Sequence, residues 1–153
     1  MALRKTATRR DTLKSGAIGA VALMLAPRLA QADAAAVEAE IKKLYAGKKP
    51  GEGKIKLDVP QIAENGLVVP INIEVESPMT SADFVKAVHV WADGNPSPGI
   101  LSYAFTPECG KASASARMRL AQTQNIICIA EMSDGKLFTA STQVKVTIGG
   151  CGG

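Results

Sequence analysis

The sequence predicts a mainly β protein: an immunoglobulin-like antiparallel β-sandwich with one N-terminal helix and a flexible C-terminal arm. Three observations carry this. Residues 55–148 hold seven short strand-like runs, 67–75 among them rich in Val and Ile and several alternating apolar with polar. Turn-forming clusters separate the runs. Residues 33–46, upstream of them, place Val37, Ile41, Leu44 and Tyr45 on one helical face, with Glu38, Glu40, Lys42 and Lys43 elsewhere.

Taken in order, the helix is expected to stop at Gly47, and Lys48-Lys49-Pro50-Gly51-Glu52-Gly53 to form a loop. Strands follow at 55–59, 67–75, 85–92, 100–105, 115–121, 126–132 and 137–148. Pro70 marks an edge or a bulge in the second of these. Turns are expected at Glu64-Asn65-Gly66, at residues 93–99, at Gln122-Thr123-Gln124-Asn125 and at Ser133-Asp134-Gly135-Lys136.

The first 32 residues stand apart. Arg4, Lys5, Arg9, Arg10 and Lys14 form a basic front, and residues 15–26 are apolar and uncharged. That run is shorter than the about 20 residues a membrane span needs. Ala30 and Ala32 supply a small-x-small cleavage pattern, with Ala34 and Ala36 as a second choice. The reading is a removable export signal and no stable membrane anchor. Thr8-Arg9-Arg10-Asp11-Thr12-Leu13-Lys14 resembles the twin-arginine motif, which implies export of a folded protein to the periplasm. Thr12 stands where that motif has a bulky apolar residue. The domain division is therefore signal 1–32, a helix-plus-sandwich domain 33–148, and an arm 149–153.

Six of the 18 Lys/Arg and one of the 14 acids lie in residues 1–32, leaving 12 basic against 13 acidic residues. The basic balance belongs to the leader, so a nucleic-acid partner is not expected.

Few residues could carry chemistry. A tetrahedral zinc site would need the one histidine, His89, together with all three cysteines, and no close ligand pair nucleates it. No Cys-x-x-Cys pair or phosphate-binding glycine loop is present. A Cys151–His89 catalytic pair would lack preorganisation. Neither metal nor other cofactor is expected, and no intrinsic catalysis. Gly149-Gly150-Cys151-Gly152-Gly153 is different. Glycines remove every side chain around the Cys151 sulfur and cost backbone entropy to order. A thiol on such an arm suits a covalent carrier that enters other proteins' active sites, the thiolate being the reactive form.

This terminal pentapeptide, with the leader and the sandwich pattern, resembles the SoxY family of sulfur-carrier subunits in the Sox thiosulfate-oxidation pathway. Interior segments resemble it too: Val85-Lys86-Ala87-Val88-His89-Val90, Asn95-Pro96-x-Pro98, Arg117-x-Arg119-Leu120-Ala121-x-Thr123-Gln124, and Ala130-Glu131-Met132-Ser133-Asp134-Gly135. The resemblance implies a heterodimer with a SoxZ-like subunit and sulfur attachment at Cys151. It implies loading with thiosulfate by a c-type cytochrome, release of sulfate by a dimanganese hydrolase, and oxidation of the remaining sulfur by a sulfane dehydrogenase. The metals and haems belong to those partners.

Cys109 and Cys128 remain. An internal disulfide between them would leave Cys151 as the sole free thiol and is the expectation taken forward; two buried thiols are the alternative. His89, placed on one strand face with Val85, Ala87 and Trp91, is read as half-buried with a satisfied ring, or at an interface. Trp91 and Phe84 are read as core or interface residues, and Arg117 and Arg119 as a solvated face. Strand 67–75 and the strand of Trp91 are the candidate partner surfaces. Two rival functions stand beside the carrier. One is an exported interaction module whose terminal cysteine forms a fixed intermolecular disulfide. The other is a ubiquitin-like carrier activated at Gly153, against which the leader and the strand-rich body argue.

Overall fold

The computed structural model describes residues 34–150. The signal segment 1–32 and Cys151, Gly152 and Gly153 lie outside the described residues.

Helix α1 is Ala34–Tyr45. Val37 and Tyr45 are buried and Ile41 is half-buried, while Lys42 and Lys43 sit in the last turn, where cations suit the carbonyl end. The chain leaves the helix through left-handed Ala46 and Gly47, at φ 51° and 76°. Gly47 is the stop that its lack of a side chain favours.

Nine strands follow: β1 Gly51–Glu52, β2 Ile55–Asp58, β3 Ile62–Asn65, β4 Val69–Val75, β5 Val85–Ala92, β6 Gly99–Ala104, β7 Ala112–Met118, β8 Gln124–Met132 and β9 Leu137–Ile148. Seven match the expected runs to within a few residues. The two that do not, β1 and β3, both pair parallel with β9, one near its start and one near its end. In β3 only Ala63 is buried, so no periodicity betrays it. A single turn of 3-10 helix at Pro107–Cys109 was also unexpected.

Two sheets form the sandwich. The larger runs β1-β9-β8-β5-β6, with β3 also on β9; the smaller runs β2-β4-β7. Strands β4 and β7 alternate buried and exposed residues, as a sheet with one wet face must. Pro70 sits on β4 opposite Arg117 of β7, where β2, which pairs only from Asn72 to Val75, has already ended. On that side β4 is an edge, so the missing N–H costs no ladder bond.

Strand β8 is nearly continuously apolar because both its faces are covered. Ile126, Cys128, Ala130 and Met132 face the inter-sheet core with Val69, Ile71, Ile73, Val88, Val90 and Val144. Ile127 and Ile129 face α1, packing with Val37, Tyr45, Trp91 and Leu137. A bulge between Val85 and Ala87 switches sides within β5. Val85 therefore enters the inter-sheet core, and Ala87, His89 and Trp91 lie on the helix side without it. Leu44, which the helical spacing places on one face with Val37, Ile41 and Tyr45, is 52% exposed beside the groove that α1 forms with His89, Leu101 and Ser102. No helix among the described residues is long and apolar enough to cross a membrane.

Candidate functional site

Strand β9 does not end in free chain. Beyond Ile148, Gly149 and Gly150 run between the turn after β3 and the segment after β7. The Ile148 carbonyl accepts from the Gly66 amide at 2.8 Å, the Gly66 carbonyl accepts from Leu120 at 2.8 Å, and the Leu120 carbonyl accepts from Gly150 at 2.9 Å. Three stretches of backbone are thus stitched together, and Gly150 is buried.

The glycines are required by this closeness. A Cβ on Gly66 would collide with the Leu120 carbonyl oxygen, and one on Gly149 with the Ala121 carbonyl oxygen. One on Gly150 would stand 2.7 Å from the Gly66 carbonyl oxygen, inside any tolerable contact. This corrects the division at residue 149. Of the two glycines assigned to the flexible arm on backbone entropy alone, Gly150 is buried and bonded to the body, and Gly149, although exposed, has no room for a side chain beside Ala121. Cys151, Gly152 and Gly153 are the arm residues that lie outside the described ones.

The wall of this seat is held from behind by two buried amides. Asn95, 4% exposed, donates through Nδ2 to the Arg119 carbonyl at 2.8 Å. Its Oδ1 accepts from the Ala121 amide and from Gln124 Nε2, each at 2.9 Å. Gln124, 3% exposed, also donates to the Gln122 carbonyl at 3.1 Å and accepts from the Gly94 amide at 2.8 Å. Both side chains are satisfied, as buried amides must be. Asp93 accepts from both the backbone and the side chain of Asn125, and Thr123 Oγ1 accepts from the Val146 amide at 2.9 Å. The loop 119–125 is thereby fixed to the sheet end against which Gly150 rests.

Sequence reasoning treated Asn95 and Gln122–Asn125 as turn residues and missed this network. The clue was two amides and an adjacent Asp among short polar linkers, a pattern that becomes a network only when the 93–99 and 119–125 loops are neighbours.

The other singled-out residues scatter. Cys109 lies exposed on the turn Pro107–Cys109, and Cys128 lies fully buried at the centre of β8. Both thiols are free, which overturns the expected disulfide. Cys128 points into the inter-sheet core and Cys109 stands in solvent outside it. Burial pushes the Cys128 thiol up to about 12, so it is a core residue rather than a nucleophile. His89 is half-buried, with Nδ1 2.8 Å from Ser102 Oγ and its ring between Tyr45 and Trp91, at 6.1 and 5.8 Å. Burial lowers its pKa, Glu131 opposing. Trp91 is buried and donates to Glu40 Oε2 at 2.9 Å. Phe84 packs against the core, and Arg117 and Arg119 are exposed. Among the described residues no three His, Cys, Asp or Glu side chains stand close enough to share a metal ion.

Fold and seat together define a β-sandwich protein whose last described residue, Gly150, is anchored to the body immediately before Cys151 in the chain. The chain belongs to the family of the sulfur oxidation protein SoxY, which matches residues 41–151 and so includes Cys151. Among solved structures it is similar to the sulfur carrier protein SoxY from Chlorobium limicola f thiosulfatophilum. Identity there is 30% over 76% of this chain and 100% of that one, at a TM-score of 0.64. The superoxide reductase (neelaredoxin) from Ignicoccus hospitalis shares the fold at 16% identity, over 61% of this chain and 80% of that one, with TM-score 0.55. The superoxide reductase from Nanoarchaeum equitans does so at 12% identity, over 63% and 100%, with TM-score 0.53. No curated protein matches the chain.

Proposed function

We propose that Cys151 is the attachment point for sulfur intermediates during thiosulfate oxidation. The sulfur-carrier role follows from family membership. The observation that supports this particular residue is the seat itself. Gly150 is buried and hydrogen-bonded to Leu120, and Cys151, flanked by Gly150 and Gly152, is the next residue along the chain.

The chemistry asks little of the chain beyond a thiol and access to it. In loading, the Cys151 thiol and thiosulfate would form a sulfur–sulfur bond, with one proton released to water and two electrons passed, one at a time, to a partner c-type cytochrome. Water then cleaves the outer sulfur–sulfur bond on a dimanganese hydrolase, giving sulfate and a Cys151 persulfide. A sulfane dehydrogenase oxidises that persulfide while it stays covalently held. In this reading the chain is the non-catalytic substrate-bearing subunit, working as a heterodimer with a SoxZ-like partner in the periplasm. Segment 1–32 exports the folded pair through the twin-arginine route. Metals and haems reside on the partners, and this chain carries only its covalent cargo.

The test is intact mass of the protein taken from its own periplasm after growth on thiosulfate, with and without reductant. Reductant-sensitive additions fitting sulfur or thiosulfate, mapped to the Cys151 peptide and lost in Cys151→Ala, are expected. An unmodified mass, or Cys151 held only in a protein–protein disulfide, would sink the reading in favour of the interaction module.

A further inference from the structure

Strand β6 closes one side of the larger sheet and pairs with β5 alone. Its register fixes which backbone groups face outward. Bonded and non-bonded pairs alternate along an antiparallel ladder. The Phe105 amide donates to the Lys86 carbonyl at 3.0 Å, one step beyond the pair Ala104–Ala87. Tyr103 therefore bonds to Val88, while Ala104 and Ser102 turn their N–H and C=O groups away from β5. Those groups have no protein partner among the described residues. Sheet edges are usually blunted by charge, proline or a bulge. Gly99–Ala104 carries neither charge nor proline, and its one irregularity, opposite Val90 and Trp91, comes before Ser102.

Helix α1 stands across a groove from this edge. In about 540 Å³, Glu40 and Leu44 of α1 meet His89, Trp91, Leu101 and Ser102. Leu44 is 52% exposed there and Leu101 half-buried, so the groove has an apolar lining open to solvent. Its polar side chains answer one another. Glu40 Oε2 accepts from Trp91 Nε1 at 2.9 Å, and Ser102 Oγ lies 2.8 Å from His89 Nδ1. What stays unpaired on the β6 side is main chain. Free ladder groups beside an apolar groove, between an edge strand and a helix, are complementary to an extended polypeptide: main-chain bonds give affinity, and alternate side chains fill the groove.

We infer that β6 and α1 form a strand-addition site for an extended segment of the second subunit. That segment bonds to the outward groups of Ser102 and Ala104 and lays a bulky apolar side chain against Leu44 and Leu101. This rests on the reading of the chain as one half of a heterodimer. A lasting subunit suits the place, because the groove residues belong to α1, β5 and β6 and none belongs to the segments that hold Gly150. The segment is recognised by its backbone and one apolar side chain, since the groove offers few unspent polar side chains to read anything else.

The test compares the complex purified from the host with the full chain expressed alone. Hydrogen exchange, read to single amides by mass spectrometry, follows Ser102 and Ala104, and light scattering gives subunit composition. Both amides should exchange about tenfold or more slowly in the complex. Two variants test the contact itself. Ala104→Pro removes one outward amide and takes no bond from β5, and Leu44→Asp sets a charge in the apolar lining. Each should weaken the second subunit by about tenfold or more, with the melting temperature of the chain alone unchanged. Equal exchange at Ser102 and Ala104 in an intact complex overturns the site and leaves the heterodimer standing, and so does parent affinity in both variants. Should a variant fail to fold, the exchange of the parent decides. Protected amides in a complex of two copies of this chain overturn the assignment and give the groove to the second copy. A parent that purifies alone overturns the heterodimer reading and the site with it.

Discussion

The Gly150 amide donates to the Leu120 carbonyl at 2.9 Å, tying the last described residue to the loop between β7 and β8. The glycine side of each contact leaves no room for a Cβ. A methyl at Gly66 would overlap the Leu120 carbonyl oxygen, and Asn95 holds the residues on either side of Leu120, through the Arg119 carbonyl and the Ala121 amide. Gly66→Ala should therefore destabilise the fold by about 1–3 kcal/mol, the usual cost of overpacking. Gly51→Ala is the control: its added Cβ meets nothing closer than 3.7 Å, so a change within about 0.5 kcal/mol is expected. Calorimetric unfolding of the two variants decides it, and equal melting temperatures would show that the seat is looser than described.

Asn95 and Gln124 should behave as a coupled pair. Asn95→Ala leaves the Arg119 carbonyl and the Ala121 amide without their side-chain partner and takes one of two acceptors from Gln124 Nε2. Each buried unpaired group costs about 1–3 kcal/mol, so a loss of about 3 kcal/mol is expected. Gln124→Ala should cost less on top of Asn95→Ala than alone, with a coupling of about 0.5–3 kcal/mol in a urea-unfolding double-mutant cycle. Additive losses would mean that the two amides act separately.

What could be read from the sequence depended on how local its cause was. Strands β4 to β9 announced themselves because each carries its own pattern, set by one or two buried faces. Strand β3 did not, because its pairing is dictated by β9, more than 80 residues away in the chain. The bulge after Val85 was equally silent, and it put Val85 on the wrong face beside His89 in the sequence reading. The glycines before Cys151 were noticed for the right residue type and the wrong reason at two positions. Gly149 and Gly150 are there because Ala121 and Gly66 leave no room for a side chain, and no local signal distinguishes that from a need for freedom. The disulfide expectation failed because cysteine count says nothing about whether two side chains point into the same space.

The cysteines should separate by reactivity. In a Cys151→Ser background the folded protein should take up one equivalent of maleimide, at Cys109, which is exposed. Cys128 is fully buried and its thiol is held protonated by desolvation, so it should react only after unfolding, giving two equivalents in denaturant. Peptide mapping identifies the sites. No uptake in either condition without reductant would restore the disulfide.

His89 should make the fold weaker in mild acid. Burial between Tyr45 and Trp91 holds its folded pKa below the ordinary 6.5, with Glu131 opposing in part. Between the two values the unfolded chain binds a proton that the folded chain refuses, so stability rises with pH there. The penalty is absent well above pH 6.5, develops as pH falls through 6.5, and levels off below the folded pKa. The carboxyls held below their usual range, Glu74, Glu108 and Asp134, have ordinary values of 4.5 or less and titrate below this window. His89→Gln keeps a polar group facing Ser102 and removes the titration. Urea unfolding at three pH values spanning 5.5 to 7.5 should show the parent losing stability toward acid and the variant losing distinctly less. Parallel slopes would mean that the ring is protonated as readily in the folded protein as in the unfolded chain, and that its burial does not act on its charge.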